Sequence, residues 1–420
     1  MYQKTTLDSG LRLVTANMPH VPSISIGFFL GAGSRYENDD QAGSSHFIEH
    51  LCFKGTAKRP TAKEISMAIE GVGGVINGAT DKEIVVYWCK VARPHFPIAI
   101  DVLTDMLLNS SFDPAEIKKE RQVIIEEINM GRDSPHQRVL EIIDELMWPD
   151  HPLGRDIAGS KESVATIKRG MLLDYMAGQY QPANAVVSIA GDIKHEEMVA
   201  AVNQATANWK QHRPRREYAP YHDKAGKRVI IETRDTEQVQ ICLGLPGLSL
   251  LHPRRFTLDL LNVILGEGMS SRLFSEIRDR LGLVYSIHSS VDHFLDTGAL
   301  IISAGVDSKN LRVAIKAILE ELAKLKDTLP EAELARAKES SRGRLMLRME
   351  DSRNVSGWMG GQEILTGRIL SPDQVMDTIM SITAGEIQQL ASDLLSGEKI
   401  RLAVVGPVAQ DASLEDILKL

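Results

Sequence analysis

Cysteine is scarce. Cys52, Cys89 and Cys242 are the only three in 420 residues, odd in number and far apart. That excludes a disulfide framework and points to a reducing compartment. Excess positive charge is missing as well. A formal net charge of −8 argues against nucleic acid as a partner. Long apolar runs are absent: the longest, "ISIGFFLGAG", is broken by glycine and falls short of the roughly 20 residues a spanning helix needs. The opening "MYQKTTLDSGLRLV" has no apolar core behind a basic start, so no secretory signal is expected. Aromatic residues make up only 5%. What remains, 43% hydrophobic and 25% charged, is the make-up of a globular protein large enough for two or more domains. The expectation is a cytoplasmic protein that contacts neither membrane nor nucleic acid.

Periodicity divides the chain. "GLRLVTANM" and "SISIGFFLGAG" alternate as strands, and "TAKEISMAIEGVG" has helical spacing. "GVINGATDKEIVVYWCKV" predicts two short strands with a polar turn. "FDPAEIKKERQVIIEEINMGRD" predicts a helix with Asp113 as its cap, Pro114 in the first turn and Glu116 three past the cap. "ANAVVSIAGDIKHEEMVAAVNQATANW" reads as strand, turn and helix. The pattern dissolves in "KQHRPRREYAPYHDKAGKR", which predicts a solvated linker over 211–226. Afterwards the order of elements recurs. "RVIIETRDTEQVQICLGLPG" gives two strands, "FTLDLLNVIL" and "SSRLFSEIRDRLG" helices, "VYSIHSSVDHF" and "GALIISAGV" strands. "IRLAVVGPVAQDASLEDILKL" closes the chain as strand, turn and helix. A repeat of half the chain predicts two domains of one fold, 1–210 and 227–420, of the α+β class with mostly antiparallel sheets.

One stretch carries chemistry: "GSSHFIEHLCFKGT". At roughly 100° per residue, His46, Glu49 and His50 share one face of a helix. Two imidazoles on one turn can grip a metal ion, and a neighbouring glutamate can take a proton from water held there. Such a pair also occurs on ordinary solvated helices, so five residues alone do not decide. A third ligand is required. The helix capped by Asp113 offers Glu120, Glu126 and Glu127. Helical spacing puts Glu127 and Glu120 on the stripe formed by Val123, Ile124 and Ile128, and turns Glu126 away. Adjacent glutamates at a solvated helix margin are the plainer alternative.

"HFIEHLCFKGT" followed by "KKERQVIIEEI" resembles the inverzincin peptidases of the pitrilysin and mitochondrial-processing-peptidase family. "SGLRLV", "GAGSRYE", "HPLGRDIAG" and "GLVYSI" extend the resemblance over nearly the whole chain. It implies His46, His50 and Glu127 as ligands of one zinc ion per chain. It further implies Glu49 as general base and Glu120 as support for a ligand, with Glu126 the fallback if the register slips by one. The 76 residues between His50 and Glu127 match the family's gap. Cys52, two past the motif, is expected to be core.

By the same resemblance, "GGVINGATDKEIVVYW" holds a sheet edge to which a substrate peptide adds as a strand, along Asn77, Gly78 and Ala79. The family's usual alanine is glycine at Gly78. Local chemistry alone would make Asn77-Gly78 a hairpin turn. In the second half, Arg278 and Tyr285 match an arginine–tyrosine pair that holds the substrate carbonyl. The alternative pairs Arg278 with an acid such as Asp279. His288 and His293 are expected on a strand surface. The resemblance implies a zinc metalloendopeptidase that cleaves peptides or unfolded polypeptide in a closed chamber. Two domains are half of the family's four-domain clamshell, so a homodimer is expected, a heterodimer with a zinc-less paralogue being the alternative. The competing function is a catalytically silent structural subunit.

Overall fold

In the computed structural model residues 2–211, 217–224, 226–409 and 413–419 are described. They form two units. The first runs to Ile128 and adds Arg155–Ala219 and Met346–Ser371; the second takes Asn129–Gly154, Pro220–Leu345 and the chain from Pro372.

The first unit is built on strands β1 (Tyr2–Thr6), β2 (Arg12–Asn17), β3 (Ser23–Leu30), β4 (Val75–Thr80), β5 (Val85–Ala92) and β6 (Ala185–Gly191), in the order β1-β2-β6-β3-β5-β4. The second is built on β7 (Val229–Thr233), β8 (Val239–Pro246), β9 (Val284–His293), β10 (Gly298–Val306) and β11 (Arg401–Gly406), in the order β7-β11-β8-β10-β9. β1 aside, the paths coincide. β2 pairs parallel with β6 as β7 does with β11, and every other pairing is antiparallel. The repeat in the sequence is therefore a repeat of one topology, and the α+β expectation holds.

The helices of the first half are α1 (Ser44–Cys52), α2 (Ala62–Glu70), α3 (Phe96–Asn109), α4 (Pro114–Asp133), α5 (Pro135–Met147), α6 (Lys161–Thr166), α7 (Arg169–Gln179) and α8 (His195–Ala205). The second half has α9 (Arg255–Leu265), α10 (Leu311–Asp327), α11 (Glu331–Arg348), α12 (Ser352–Thr366), α13 (Pro372–Ser381) and α14 (Ala384–Leu394). None of the described helices is long and apolar enough to cross a membrane.

Strand alternation explains the first unit's layers. Ile24, Ile26, Phe28 and Leu30 of β3 and Val85, Tyr87, Cys89 and Val91 of β5 face one core, shared with Phe47, Ile48, Leu51 and Cys52 of α1. Cys52 is thus core, as expected. The opposite face is covered by α12, a helix from the second half of the sequence. Its Met359 packs with Phe29, Val186 and Val14. At Gly360 a Cβ would sit 2.3 Å from the Phe29 ring, so only glycine lets this helix approach so closely. Ser356 and Ser188 exchange hydroxyl-to-carbonyl bonds at 2.9 and 2.8 Å. Buried Glu363 accepts from Lys4 at 2.6 Å and Arg12 at 3.1 Å.

The reverse loan is α5. Its Val139, Ile142, Ile143 and Met147 pack with Cys242, Ile301, Ala403 and Val405 of the second sheet. Each of the expected domains, 1–210 and 227–420, holds one sheet, but the compact units trade these helices and are discontinuous. On each sheet a helix from the other half of the sequence packs on the hydrophobic outer face. Of the expected linker, 212–216 and 225 lie outside the described residues, and 217–224 form neither helix nor strand. The first unit holds the start of that stretch: Arg35 stacks over Tyr218 at 4.1 Å and donates to the Ala219 carbonyl at 3.2 Å.

The hairpin-turn alternative for Asn77-Gly78 fails, and two local expectations are corrected. Asn77 and Gly78 lie inside β4, paired with Trp88 and Tyr87 of β5, and the chain turns beyond Thr80. "SSRLFSEIRDRLG" winds as a π-helix over Phe274–Arg280 instead of an α-helix. The last expected helix is, among the described residues, only a 3-10 turn at Glu415–Ile417.

Candidate metal centre

α1 stands where it does because its N-terminus is pinned. Gly43 takes φ of 94°, which favours glycine, and opens the helix. The buried Glu37 carboxylate accepts from the backbone N–H groups of Gly43 at 2.8 Å and Ser45 at 2.6 Å. Burial pushes the Glu37 carboxyl up to about 7, against the hydrogen bonds from Ser45 and Gly43. The Tyr175 hydroxyl braces the same turn, donating to the Gly33 carbonyl at 2.9 Å and accepting from Ser45 Oγ at 2.8 Å. With Phe47, Ile48, Leu51 and Cys52 buried, the other edge of the helix must carry His46, Glu49 and His50, all half-buried or nearly so.

α4 brings the acids. Asp113 caps it, accepting from Ala115 N at 2.7 Å and Glu116 N at 3.3 Å. Its buried stripe is Ile117, Glu120, Ile124 and Ile128. Val123, which the sequence placed in that stripe, is 43% exposed: it lies a full 100° from Ile124, on the solvent side. Glu127, three past Ile124, lies at the stripe's edge and faces α1, while Glu126 is exposed.

Three donor atoms converge. His46 Nε2 and His50 Nε2 are 3.3 Å apart, and Glu127 Oε2 lies 3.9 Å from the first and 3.6 Å from the second. A tetrahedral ion with bonds of about 2.1 Å holds its donors about 3.4 Å apart, so the three positions fit one ion. Burial, helped by His50, pulls His46 down to about 4, which keeps it a neutral donor at ordinary pH. Glu120, buried, accepts from His50 Nδ1 at 3.1 Å and from Lys54 Nζ at 2.7 Å. That bond puts the His50 proton on Nδ1 and turns the Nε2 lone pair toward Glu127 and His46. His46 Nε2 can donate its own proton to that lone pair or, with the proton on Nδ1, turn a second lone pair to the same point. Among the described residues this is the one grouping of three such donors.

Glu49 stands aside from the three. Its Oε2 accepts from Thr80 Oγ1 at 2.5 Å. Its pKa is raised: burial lifts it, while Thr80 and His50 pull it down and Glu127 adds to the rise. Gly78 makes room, since a Cβ there would lie 2.9 Å from Glu49 Cγ and Oε1. β4 itself is the edge of its sheet, so Asn77, Gly78 and Ala79 sit on an unpaired backbone edge beside the carboxylate. Sequence reasoning missed Thr80 and Lys54. Thr80 was within reach, because it lies two residues past Gly78 and so on the same face. Lys54 follows the end of α1, where helical spacing no longer applies.

In the second unit, the Arg278 guanidinium lies 4.6 Å from the Phe274 ring and 5.7 Å from the Tyr285 ring. Tyr285 is 74% exposed on β9. Arg278 makes no ion pair with Asp279; the helix's own pair joins Arg280 to Glu276. His288 is exposed on β9, whereas His293 is held between Asp259 at 3.1 Å and the Leu248 carbonyl at 2.6 Å.

Residues 12–161 match the insulinase family (peptidase family M16), and residues 166–341 match the peptidase M16 inactive domain. His46, His50 and Glu127 all lie in the first segment. The chain is 36% identical to an uncharacterised zinc protease of Mycobacterium leprae, over 99% of this chain and 94% of that protein. It is 35% identical to the uncharacterised zinc protease YmxG of Bacillus subtilis, over 97% and 98%. Among solved structures, a protease from Helicobacter pylori superposes with a TM-score of 0.91 at 22% identity, covering 97% of this chain and 99% of that one, a likeness of fold.

Proposed function

Because the chain belongs to peptidase family M16, the insulinase family, we propose that it is a zinc-dependent endopeptidase acting on peptides and unstructured protein segments. What carries this reading is the convergence of His46, His50 and Glu127 donor atoms within 3.9 Å, beside a half-buried glutamate that is not one of them. The three would hold one zinc ion per chain. When bound, zinc supplies Lewis acidity that polarises the scissile carbonyl and acidifies the attacking water. Glu49 takes that water's proton as it adds to the carbonyl carbon, then gives it to the leaving amine. A carboxyl whose pKa is raised by burial suits both halves of the task, since it holds the proton more readily than an exposed one.

The substrate lies along β4, hydrogen-bonded to the backbone of Asn77, Gly78 and Ala79. Such binding reads extended shape and selects unfolded chain. Arg278 and Tyr285 donate to the carbonyl oxygen as its charge grows. A homodimer completes the chamber, with this pair from one copy serving the other's zinc site and the two copies closing as a clamshell. The buried, unbridged Cys52, Cys89 and Cys242 support a cytoplasmic setting.

Incubation with an unstructured, internally quenched peptide tests the reading. Cleavage at internal bonds should vanish when a chelator strips the metal and return on addition of zinc. Cleavage that persists in metal-free protein would overturn it.

A further inference from the structure

Alternation along β4 sorts its side chains by face. Ile76, Gly78 and Thr80 turn to the side of α1, where Thr80 meets Glu49, while Val75, Asn77 and Ala79 turn to the side of α12. A peptide that pairs with β4 must alternate likewise. Side chains of one parity then point to the catalytic side, and those of the other parity point to the α12 side. On that second side lies a cavity of about 320 Å³, lined among others by Phe29, Ala79, Val86, Trp88, Arg348 and Arg353. All belong to the first unit.

We propose that this cavity is a substrate subsite that takes an acidic side chain of the bound peptide, with Arg353 and Arg348 as its cations. The inference rests on the peptidase reading and on strand addition to β4. Three observations carry it. The Arg353 guanidinium stacks 3.7 Å over the ring of Trp88, and Trp88 pairs in register with Asn77 of the edge strand. Stacking fixes the plane of the guanidinium and leaves its N–H edge to receive a carboxylate. Both arginines are exposed, and neither is paired with a carboxylate among the described residues. The acid at the α12 cap, Asp351, is already held by Lys90 at 2.5 Å. Finally, the path is open. An added strand lies about 9.5 Å from β5, two strand spacings away, and on this face only Asn77 and the methyl of Ala79, beside Trp88 and Val86, stand between it and the cavity. A glutamate reaching inward and an arginine reaching outward span that gap.

The test uses zinc-loaded full-length protein and a set of unstructured peptides that differ at one position, carrying Glu, Gln or Lys there. The position is scanned across the scissile bond, and kcat/KM for Gln is the reference in every ratio. The wild type should favour Glu over Gln by about tenfold, and disfavour Lys, at positions of one parity only. Arg353→Glu should erase or invert that ratio at the same positions. Arg353→Lys, which keeps charge but loses the stack, should fall between. A wild type that cleaves the peptides without Glu/Lys discrimination overturns the subsite, as does discrimination that survives both Arg353→Glu and Arg348→Glu. A preference for aromatic residues at these positions overturns it too. Failure to cleave any peptide in the set overturns the peptidase reading itself, and the subsite with it, so the two failures are distinct.

Discussion

Replacing Glu49 with Gln should lower kcat for peptide cleavage by about 10³-fold or more while zinc per chain stays at the wild-type level. Gln keeps the volume of Glu and can still accept the Thr80 hydroxyl, which now bonds to Oε2 at 2.5 Å. The three converging donors are untouched. What disappears is the ability to take and return a proton. Loss of this size in kcat with KM little changed is the signature of a group that works only in the transition state. The same substitution separates the peptidase from a structural subunit built on the same fold. A scaffold or docking module would show no cleavage in either form, and the variant would change nothing. Equal cleavage by wild type and variant would remove Glu49 from the mechanism.

The second large effect concerns the pair in the other unit. Arg278→Ala with Tyr285→Ala should by itself cost about 10²–10³-fold in kcat, the usual loss when donors to a developing oxyanion are removed. Co-expressing this chain with the Glu49→Gln chain should then rescue activity. If the pair serves the partner copy's site, each mixed dimer holds one intact site of two. Random assembly makes half of the dimers mixed, so activity should recover to about one quarter of wild type. Activity that stays at the sum of the two separate variants would place the pair's action within its own chain, or outside catalysis altogether.

How much of this was readable in the residues depended on how local the cause is. The shared face of His46, Glu49 and His50 follows from the turn of one helix, and the Asp113 cap from four consecutive residues. The position of Glu127 required helical spacing over a single element, and the match in spacing to known peptidases narrowed it further. The exchange of α5 and α12 left no trace in periodicity, because it is decided by which sheet face remains uncovered after both halves have folded. Asn77-Gly78 shows the opposite failure: the dipeptide signals a turn, yet pairing with Trp88 and Tyr87 holds it extended. Val123 misled because an apolar side chain at a helix margin looks the same in sequence whether it meets core or solvent. The cavity under Arg353 was invisible for a similar reason, since its lining joins β3, β4, β5, the end of α11 and the start of α12, up to some 330 residues apart.

The central claim is that His46, His50 and Glu127 hold one ion between them. Elemental analysis of purified protein, read together with its native mass, tests it most directly. The account predicts one zinc per chain in the wild type and in Glu49→Gln. It predicts none retained in Glu127→Gln, and binding weakened by about 10–100-fold in Glu120→Ala, which loses only the partner that orients His50. Folded wild-type protein that carries no zinc and takes up none when it is supplied, or a Glu127→Gln variant that binds as the wild type does, would contradict it.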